Sequence, residues 1–156
     1  MHCIFVIKLI MVKIKIILIT VFLVLTHFSC TKDKNGNQDA NNTIPQVQVD
    51  LYLNLNEPAN FELTTIGGWR YAIGGSKGII LYRGQDKYYA YDRHTPLNSA
   101  ENCAIVSVDS TSFFAVDSCS GSRFFLADGS VVDGVATMPL VQYETSVISD
   151  VLRVTN

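Results

Sequence analysis

Two runs decide the fold of this 156-residue chain: Asp117–Phe124 reads DSCSGSRF, and Asp128–Tyr143 reads DGSVVDGVATMPLVQY. Each run joins short apolar segments to turn residues, and similar β-branched and aromatic segments recur outward from them. Val47–Leu55 alternates apolar and polar side chains with a period of two, which is typical of a half-buried strand. Short strands separated by regular turns predict an all-β antiparallel sandwich or barrel, and residues 44–156 suffice for one hydrophobic core.

The other strand candidates are also short, with turns rich in glycine, aspartate and serine between them. They are Gly68–Ile73, Gly78–Arg83, Lys87–Asp92, Cys103–Asp109, Ser112–Asp117, Arg123–Leu126, Val131–Val132, Leu140–Glu144 and Val147–Val154. No segment has helical periodicity, apart from one helical turn expected near Asn98–Asn102. Gly74–Gly78 reads GGSKG, but it lacks the Gly-Lys-Ser/Thr ending and the following helix of a phosphate-binding loop. A hairpin turn is the favoured interpretation.

With a third run, Tyr88–Leu97 (YYAYDRHTPL), these segments resemble the Rieske iron–sulfur domain family. The family has Cys-Pro-His after the aromatic strand, and Cys-Pro-Cys-His-Gly-Ser-Arg-Phe where this chain has DSCSGSRF. Its Gly-x-Val-x-x-Gly-Pro-Ala-x-x-Pro-Leu-x-x-Tyr pattern matches the last run, with Val135 in place of proline. The resemblance spans residues 68–154. It implies a Rieske-like antiparallel β-sandwich or barrel, in which two loops form a tip that holds a [2Fe–2S] cluster.

The cluster ligands of the family are replaced at all four matching positions. A Rieske cluster is held by two cysteine thiolates on one iron and two histidines on the other. The matching residues here are Thr95, Leu97, Asp117 and Ser120. The resemblance therefore implies a vestigial cluster-binding tip with no metal and no cofactor, and a bound 2Fe-2S cluster is the alternative.

A slipped register leaves one other ligand set open. It would use His94 and Cys119, with Cys103 and Asp117 nearby. The chain beyond residue 30 has a single histidine, so the two histidines of the family pattern cannot be found in any register.

The resemblance also implies a disulfide between the two loops. Many Rieske domains tie their loops through the middle cysteine of Cys-Pro-Cys-His, and Cys119 occupies that position. Cys103 is its candidate partner, and a loop of this length would contribute on the order of 3 kcal/mol to stability. Two buried free thiols are the alternative.

Residues 1–29 predict an export signal. They hold three lysines and no acid, and Ile16–Leu25 (IILITVFLVL) forms an apolar core that is short for a transmembrane helix of about 20 residues. Met11 is a candidate for the true start. Ser29-Cys30 resembles a bacterial lipobox, which implies a lipoprotein signal peptide and lipidation at Cys30. An ordinary cleavage site with a spare thiol at Cys30 is the alternative.

Residues 30–43 predict a lipidated cysteine followed by a flexible tether. The stretch Thr31–Thr43 (TKDKNGNQDANNT) has no large apolar residue to offset its ordering entropy. Its alternating Asp and Asn resemble the start of a calcium loop, but position twelve is Ile44 rather than glutamate. The charged residues just after Cys30 resemble signals of Bacteroidota lipoproteins. A lipid-anchored protein of the outer membrane, facing the periplasm or the cell surface, is expected.

Three function classes follow for the domain at residues 44–156. The first is a binding or structural module, with a protein partner on the loops Arg93–Asn102 and Asp117–Arg123. The second is electron transfer through an iron–sulfur cluster, and the third is an enzyme. No enzyme activity is expected, because Asp117, Ser120 and Ser122 have no paired base unless His94 reaches them. Beyond residue 29, nine basic residues face 14 acidic ones, so the net charge of −5 disfavours nucleic acid.

Five polar residues near the loops are candidates for contact with that partner. They are Asp92, Arg93, His94, Asp117 and Arg123. The competing interpretation is that Asp92 pairs with Arg93, and Asp117 with Arg123, to hold the loops in shape.

Overall fold

The computed structural model describes residues 43–156. The predicted signal peptide 1–29, the start at Met11, the lipidation site Cys30 and residues 31–42 of the tether lie outside the described residues. Within the described part, no helix is both long and apolar enough to cross a membrane.

The described chain folds into two antiparallel sheets. The ten strands are β1 (Asp50–Asn54), β2 (Trp69–Ala72), β3 (Ile79–Arg83), β4 (Tyr88–Asp92), β5 (Val106–Val108), β6 (Phe114–Asp117), β7 (Arg123–Phe125), β8 (Val131–Asp133), β9 (Gln142–Ile148) and β10 (Val151–Thr155). The six-stranded sheet has the order β1-β10-β9-β4-β3-β2, and the four-stranded sheet has the order β5-β6-β7-β8. The predicted all-β antiparallel fold is confirmed.

Strand β3 separates two hydrophobic cores because it is buried on both faces. Ile79 and Leu81 point into the core enclosed by the six-stranded sheet, with Leu63, Leu152 and Val154. The alternate residues of β3 point to the opposite face, as the pleat of a strand requires. They join the core between the two sheets, whose members are Ile80, Tyr82, Tyr91, Val106, Ala115, Phe124, Leu126, Ala136 and Leu140.

One element of the six-stranded sheet region was not expected from the sequence. Pro58–Thr64 forms a 3₁₀ helix, with the proline at its start, where a missing N–H costs nothing. Leu63 of this helix is fully buried in the first core. The helical turn expected at Asn98–Asn102 is instead a pair of tight turns, closed by the N–H groups of Glu101 and Ala104.

Two predicted strand boundaries are wrong. The turn between the last two strands lies at Ser149 and Asp150, whose φ angles are 50° and 63°, so Val147 belongs to β9 rather than to the start of β10. Strand β5 begins at Val106 and not at Cys103, because Cys103 lies in a turn. The hairpin turn expected at Gly74–Gly78 is present between β2 and β3, with Gly78 N–H donating to Gly74 O at 3.0 Å.

Candidate functional site

The two loops that match the family's cluster loops lie side by side. We call Arg93–Asn102 and Asp117–Arg123 together the loop tip. A disulfide joins Cys103, which directly follows the first loop, to Cys119 in the second, with a Cα–Cα distance of 5.2 Å. Ser118 N–H donates to Ile105 O at 3.1 Å beside it. The disulfide that the resemblance implies is therefore present, and the alternative of two free thiols is wrong.

The second loop folds its polar groups back onto itself. Asp117 is 1% exposed, and its carboxylate accepts hydrogen bonds from Cys119 N–H and Ser120 N–H, both at 3.2 Å. The Ser120 hydroxyl donates to the same carboxylate at 2.5 Å. Two of the four positions that match family ligands are thus bonded to each other.

Ser122 fastens this loop to the segment that follows β8. Its Oγ accepts the N–H groups of Val135 and Ala136, both at 3.1 Å. Gly134 has a φ of +95°, and a Cβ there would lie 2.6 Å from the Ser122 Cα. A glycine is therefore required at position 134 for the two segments to approach this closely.

The first loop offers no ligand at its two matching positions. Leu97 is half-buried and packs against the core between the sheets. Thr95 is fully buried, and within the described residues its Oγ1 has no hydrogen-bond partner. One position therefore carries a hydrocarbon side chain, and the other carries a hydroxyl that is closed off from solvent.

His94 is held by both of its ring nitrogens. It is 5% exposed, with Nδ1 2.8 Å from Ser76 Oγ and Nε2 2.7 Å from Ser99 O. A carbonyl can only accept, so Nε2 carries a proton, and in the neutral ring Nδ1 accepts from the Ser76 hydroxyl. Neither nitrogen is free to bind a metal in this arrangement, and the slipped ligand set also loses both thiolates to the disulfide.

Asp92 organises the base of the loop tip. Its buried carboxylate accepts four hydrogen bonds, from Ser76 N–H at 2.6 Å, Lys77 N–H at 3.3 Å, His94 N–H at 2.8 Å and the Tyr143 hydroxyl at 2.7 Å. Burial and the hydrogen bond to this carboxylate raise the pKa of the Tyr143 phenol above its usual value. One side chain thus joins the β2–β3 turn, the first loop and β9.

Asp92 also fixes the residue type of its neighbour in the β2–β3 turn. Gly75 has a φ of +62°, and a Cβ there would lie 2.5 Å from the Asp92 carboxylate and 2.6 Å from the Tyr143 hydroxyl oxygen. No side chain fits at this position without displacing one of them.

The two ion pairs predicted for the loops are wrong. Arg123 pairs with Asp109 at 3.2 Å rather than with Asp117. Arg93 donates to Val106 O at 3.1 Å and stacks on Tyr71, with its guanidinium carbon 3.9 Å from the ring centre. The carboxylates of Asp92 and Asp117 are instead occupied by hydrogen bonds from nearby backbone, hydroxyl and phenol groups, which satisfy a buried charge without a cation.

Ser76 and His94 have the spacing of a nucleophile and its base, but not the surroundings. The N–H groups of Ser76 and Lys77 would be the natural donors to an oxyanion at this serine, and both point to Asp92. The other nitrogen of His94 bonds to a carbonyl rather than to a carboxylate. His94 does not bond to Ser120 or Ser122, so the catalytic arrangement considered from the sequence is not formed.

The loop tip does not fit an iron–sulfur cluster. Within residues 43–156, no group of three or more His, Cys, Asp or Glu side chains is placed to hold a metal ion. Hydroxyl and carboxylate oxygens are hard donors, whereas iron–sulfur centres take soft thiolates and imidazoles. Three serines, Ser76, Ser99 and Ser122, make hydrogen bonds that hold the loop tip. The sequence does not predict these bonds, because a serine hydroxyl can pair with any nearby donor or acceptor.

Comparison with known proteins gives a distant structural likeness. No family model and no curated protein matches the chain. Among solved structures, the ferredoxin of carbazole 1,9a-dioxygenase from Nocardioides aromaticivorans IC177 is similar at a TM-score of 0.42 and 15% identity. The similarity covers 58% of this chain and 86% of that one.

Proposed function

We propose that this chain is a lipid-anchored envelope protein whose β-domain carries no iron–sulfur cluster and works as a binding or structural module. The observation that carries the proposal is the chemistry of the four positions that match family ligands. Asp117 and Ser120 bond to each other, Leu97 packs in the core and Thr95 is buried. No pair of soft donors remains on either loop.

The closed hydrogen bonding of the loop tip supports a structural role for these residues. A metal ligand must present its lone pair to the metal, so recruiting Asp117 or His94 would break bonds that each already makes. Leaving the released partners unpaired in a buried site would cost about 1–3 kcal/mol for each group. The tip is therefore better suited to holding its own shape than to binding a cluster.

The anchor and location are proposed from the N-terminal sequence. A signal in residues 1–29 and lipid on Cys30 would hold the domain at the outer membrane through the tether of residues 30–43. Several acyl chains, at about 0.8 kcal/mol for each buried CH₂, make such an anchor firm. The partner of the module would be a protein at the envelope, and no nucleic acid is proposed, since the net charge beyond residue 29 is −5.

The proposal is tested by iron analysis and absorbance of the full chain, isolated without oxygen after expression with iron and sulfide supplied. We expect no visible band and less than about 0.1 iron per chain. About two iron per chain, with visible charge-transfer bands, would instead establish the electron-transfer alternative. The same preparation tests the anchor, because the intact mass of the lipidated chain includes the acyl chains on Cys30, whereas a mass without them would contradict the anchor.

A further inference from the structure

Both edges of the six-stranded sheet face the same groove. Within the described residues, β1 and β2 end this sheet and each has one neighbouring strand. Leu51–Leu53 of β1 and Arg70–Ala72 of β2 line one groove of about 840 Å³, which we call the edge groove. The β2–β3 turn at Gly74–Gly78 lines it as well, and so does Glu57, which precedes the 3₁₀ helix.

The walls of the edge groove carry backbone hydrogen-bonding groups that the sheet itself does not use. Two of these groups already accept a side-chain donor, since Tyr71 O accepts from Arg70 Nε at 3.4 Å and Asn54 O accepts from Asn60 Nδ2 at 2.7 Å. An antiparallel edge strand directs the N–H and C=O groups of every second residue away from its one partner. The strands are five and four residues long, so each offers an edge of about 15 Å at roughly 3.3 Å per residue. An extended segment of similar length can pair with such an edge by strand addition.

The edge groove is also rich in positive charge. Its lining includes Arg70, Lys77 and Arg93, and Glu57 is the lining carboxylate. Within residues 43–156, none of the three cations makes an ion pair, since the two pairs found there are Arg123–Asp109 and Arg153–Asp50.

Each of these cations contacts neutral oxygens instead. Arg70 donates to Ala59 O and to the Asn60 side chain, and Lys77 donates to Glu101 O and Ala104 O. Arg93 donates to Val106 O and is held on the Tyr71 ring. Such contacts orient the three side chains while leaving their charge available to an acidic group.

Two apolar side chains stand open at the mouth of the edge groove. Ile73 is 97% exposed and Tyr52 is 58% exposed, and both line the groove. The edge groove therefore combines a polar backbone edge, apolar side chains and unpaired cations. These features are complementary to an extended peptide in which acidic and apolar residues alternate.

We propose that the edge groove is a strand-addition site for an extended acidic peptide segment of a partner protein. The proposal rests on the function proposed above, and it gives the binding module a site and a partner class. Iron analysis tests the absence of a cluster and peptide binding tests the edge groove, so a failure of one is distinguishable from a failure of the other.

The test measures binding of a fluorescein-labelled peptide of alternating glutamate and valine to the full chain, by fluorescence anisotropy at low salt. A peptide of alternating lysine and valine is the matched probe. We expect the acidic peptide to bind with a Kd of about 100 μM or tighter, at least tenfold tighter than the basic peptide, and to weaken as salt rises. Equal binding of the two peptides, or binding of neither, would overturn the proposal.

Two further measurements locate the site. Ile73→Glu places a negative charge at the groove mouth without disturbing the core, and it should weaken the acidic peptide about tenfold. Ile148→Glu, at a 74% exposed residue outside the groove, is its control and should leave the Kd within about twofold. Bound peptide should also slow amide exchange in β1 or β2. Binding that leaves those amides unprotected, or that is weakened equally by both variants, would contradict strand addition here.

Discussion

The loop tip and the edge groove treat their polar groups in opposite ways. In the loop tip, Asp117, Ser120 and Ser122 bond to their own loop or the next segment, and a disulfide locks the two loops together. In the edge groove, three cations lack a carboxylate partner among the described residues, and two strand edges have no neighbour there. The sequence resemblance places the candidate site at the loop tip. The cations without a carboxylate partner and the unpaired strand edges lie instead in the edge groove.

This difference indicates that the loop tip contributes to the stability of the fold and that the edge groove is the region expected to recognise a partner. Buried polar groups that are fully bonded make a region rigid and costly to alter. Half-buried cations without a carboxylate partner and unpaired sheet edges are the groups that a partner can use. Substitutions in the loop tip should therefore change the free energy of unfolding, and substitutions in the edge groove should change binding.

The largest effect is expected from Asp92→Ala at the base of the loop tip. It leaves four donors without their acceptor, two of them in buried and two in partly buried hydrogen bonds, so the free energy of unfolding should fall by about 3 kcal/mol or more. Urea denaturation followed by circular dichroism measures this. Asp86→Ala, at an exposed carboxylate, is the control and should change it by less than about 0.5 kcal/mol. A loss below about 1 kcal/mol at Asp92 would mean that this carboxylate does not hold the tip.

A smaller effect is expected from removing the disulfide with Cys103→Ser and Cys119→Ser together. The bond closes a loop with a sequence separation of 16, so the free energy of unfolding should fall by about 3 kcal/mol or somewhat less. A reducing agent should produce the same loss in the parent chain and none in the double variant. If the reducing agent left the denaturation midpoint of the parent chain unchanged, the stability of the loop tip would not depend on this bond.

The smallest effect is expected from Thr95→Val, and its sign is opposite. The substitution replaces a buried hydroxyl that has no partner among the described residues with a methyl group, so stability should rise by up to about 1 kcal/mol. Thr145→Val is the matched control, because the Thr145 hydroxyl donates to Tyr88 O at 2.7 Å and its loss should destabilise by about 1 kcal/mol. Thermal unfolding distinguishes the two, and destabilisation at both positions would mean that Thr95 Oγ1 has a partner.

The strands could be predicted because their signals are local. Alternation in Val47–Leu55 and the near-continuous apolar run of β3 follow from burial on one face or on two. The turn at Ser149-Asp150 was missed because both residues adopt positive φ without the asparagine or glycine that usually marks such a turn. The 3₁₀ helix was missed because a single turn or two has no hydrophobic period to detect.

The candidate sites divide in the same way. The resemblance predicted the disulfide, and it also predicted that the family's cluster ligands are replaced at Thr95, Leu97, Asp117 and Ser120. The partners of Arg93, Arg123 and His94 could not be read, because long-range contacts depend on how the sheets pack. The edge groove could not be predicted from the sequence either, because it depends on the strand order that makes β1 and β2 the two edges of the six-stranded sheet.

The most direct test of the central claim compares iron in the parent chain with iron in a variant that restores the family ligands. The variant carries Thr95→Cys, Leu97→His, Asp117→Cys and Ser120→His, and both chains are isolated in the same way. We predict less than about 0.1 iron per parent chain, with about two iron and visible absorbance in the variant. About two iron in the parent chain, with the same absorbance, would contradict the account whatever the variant does.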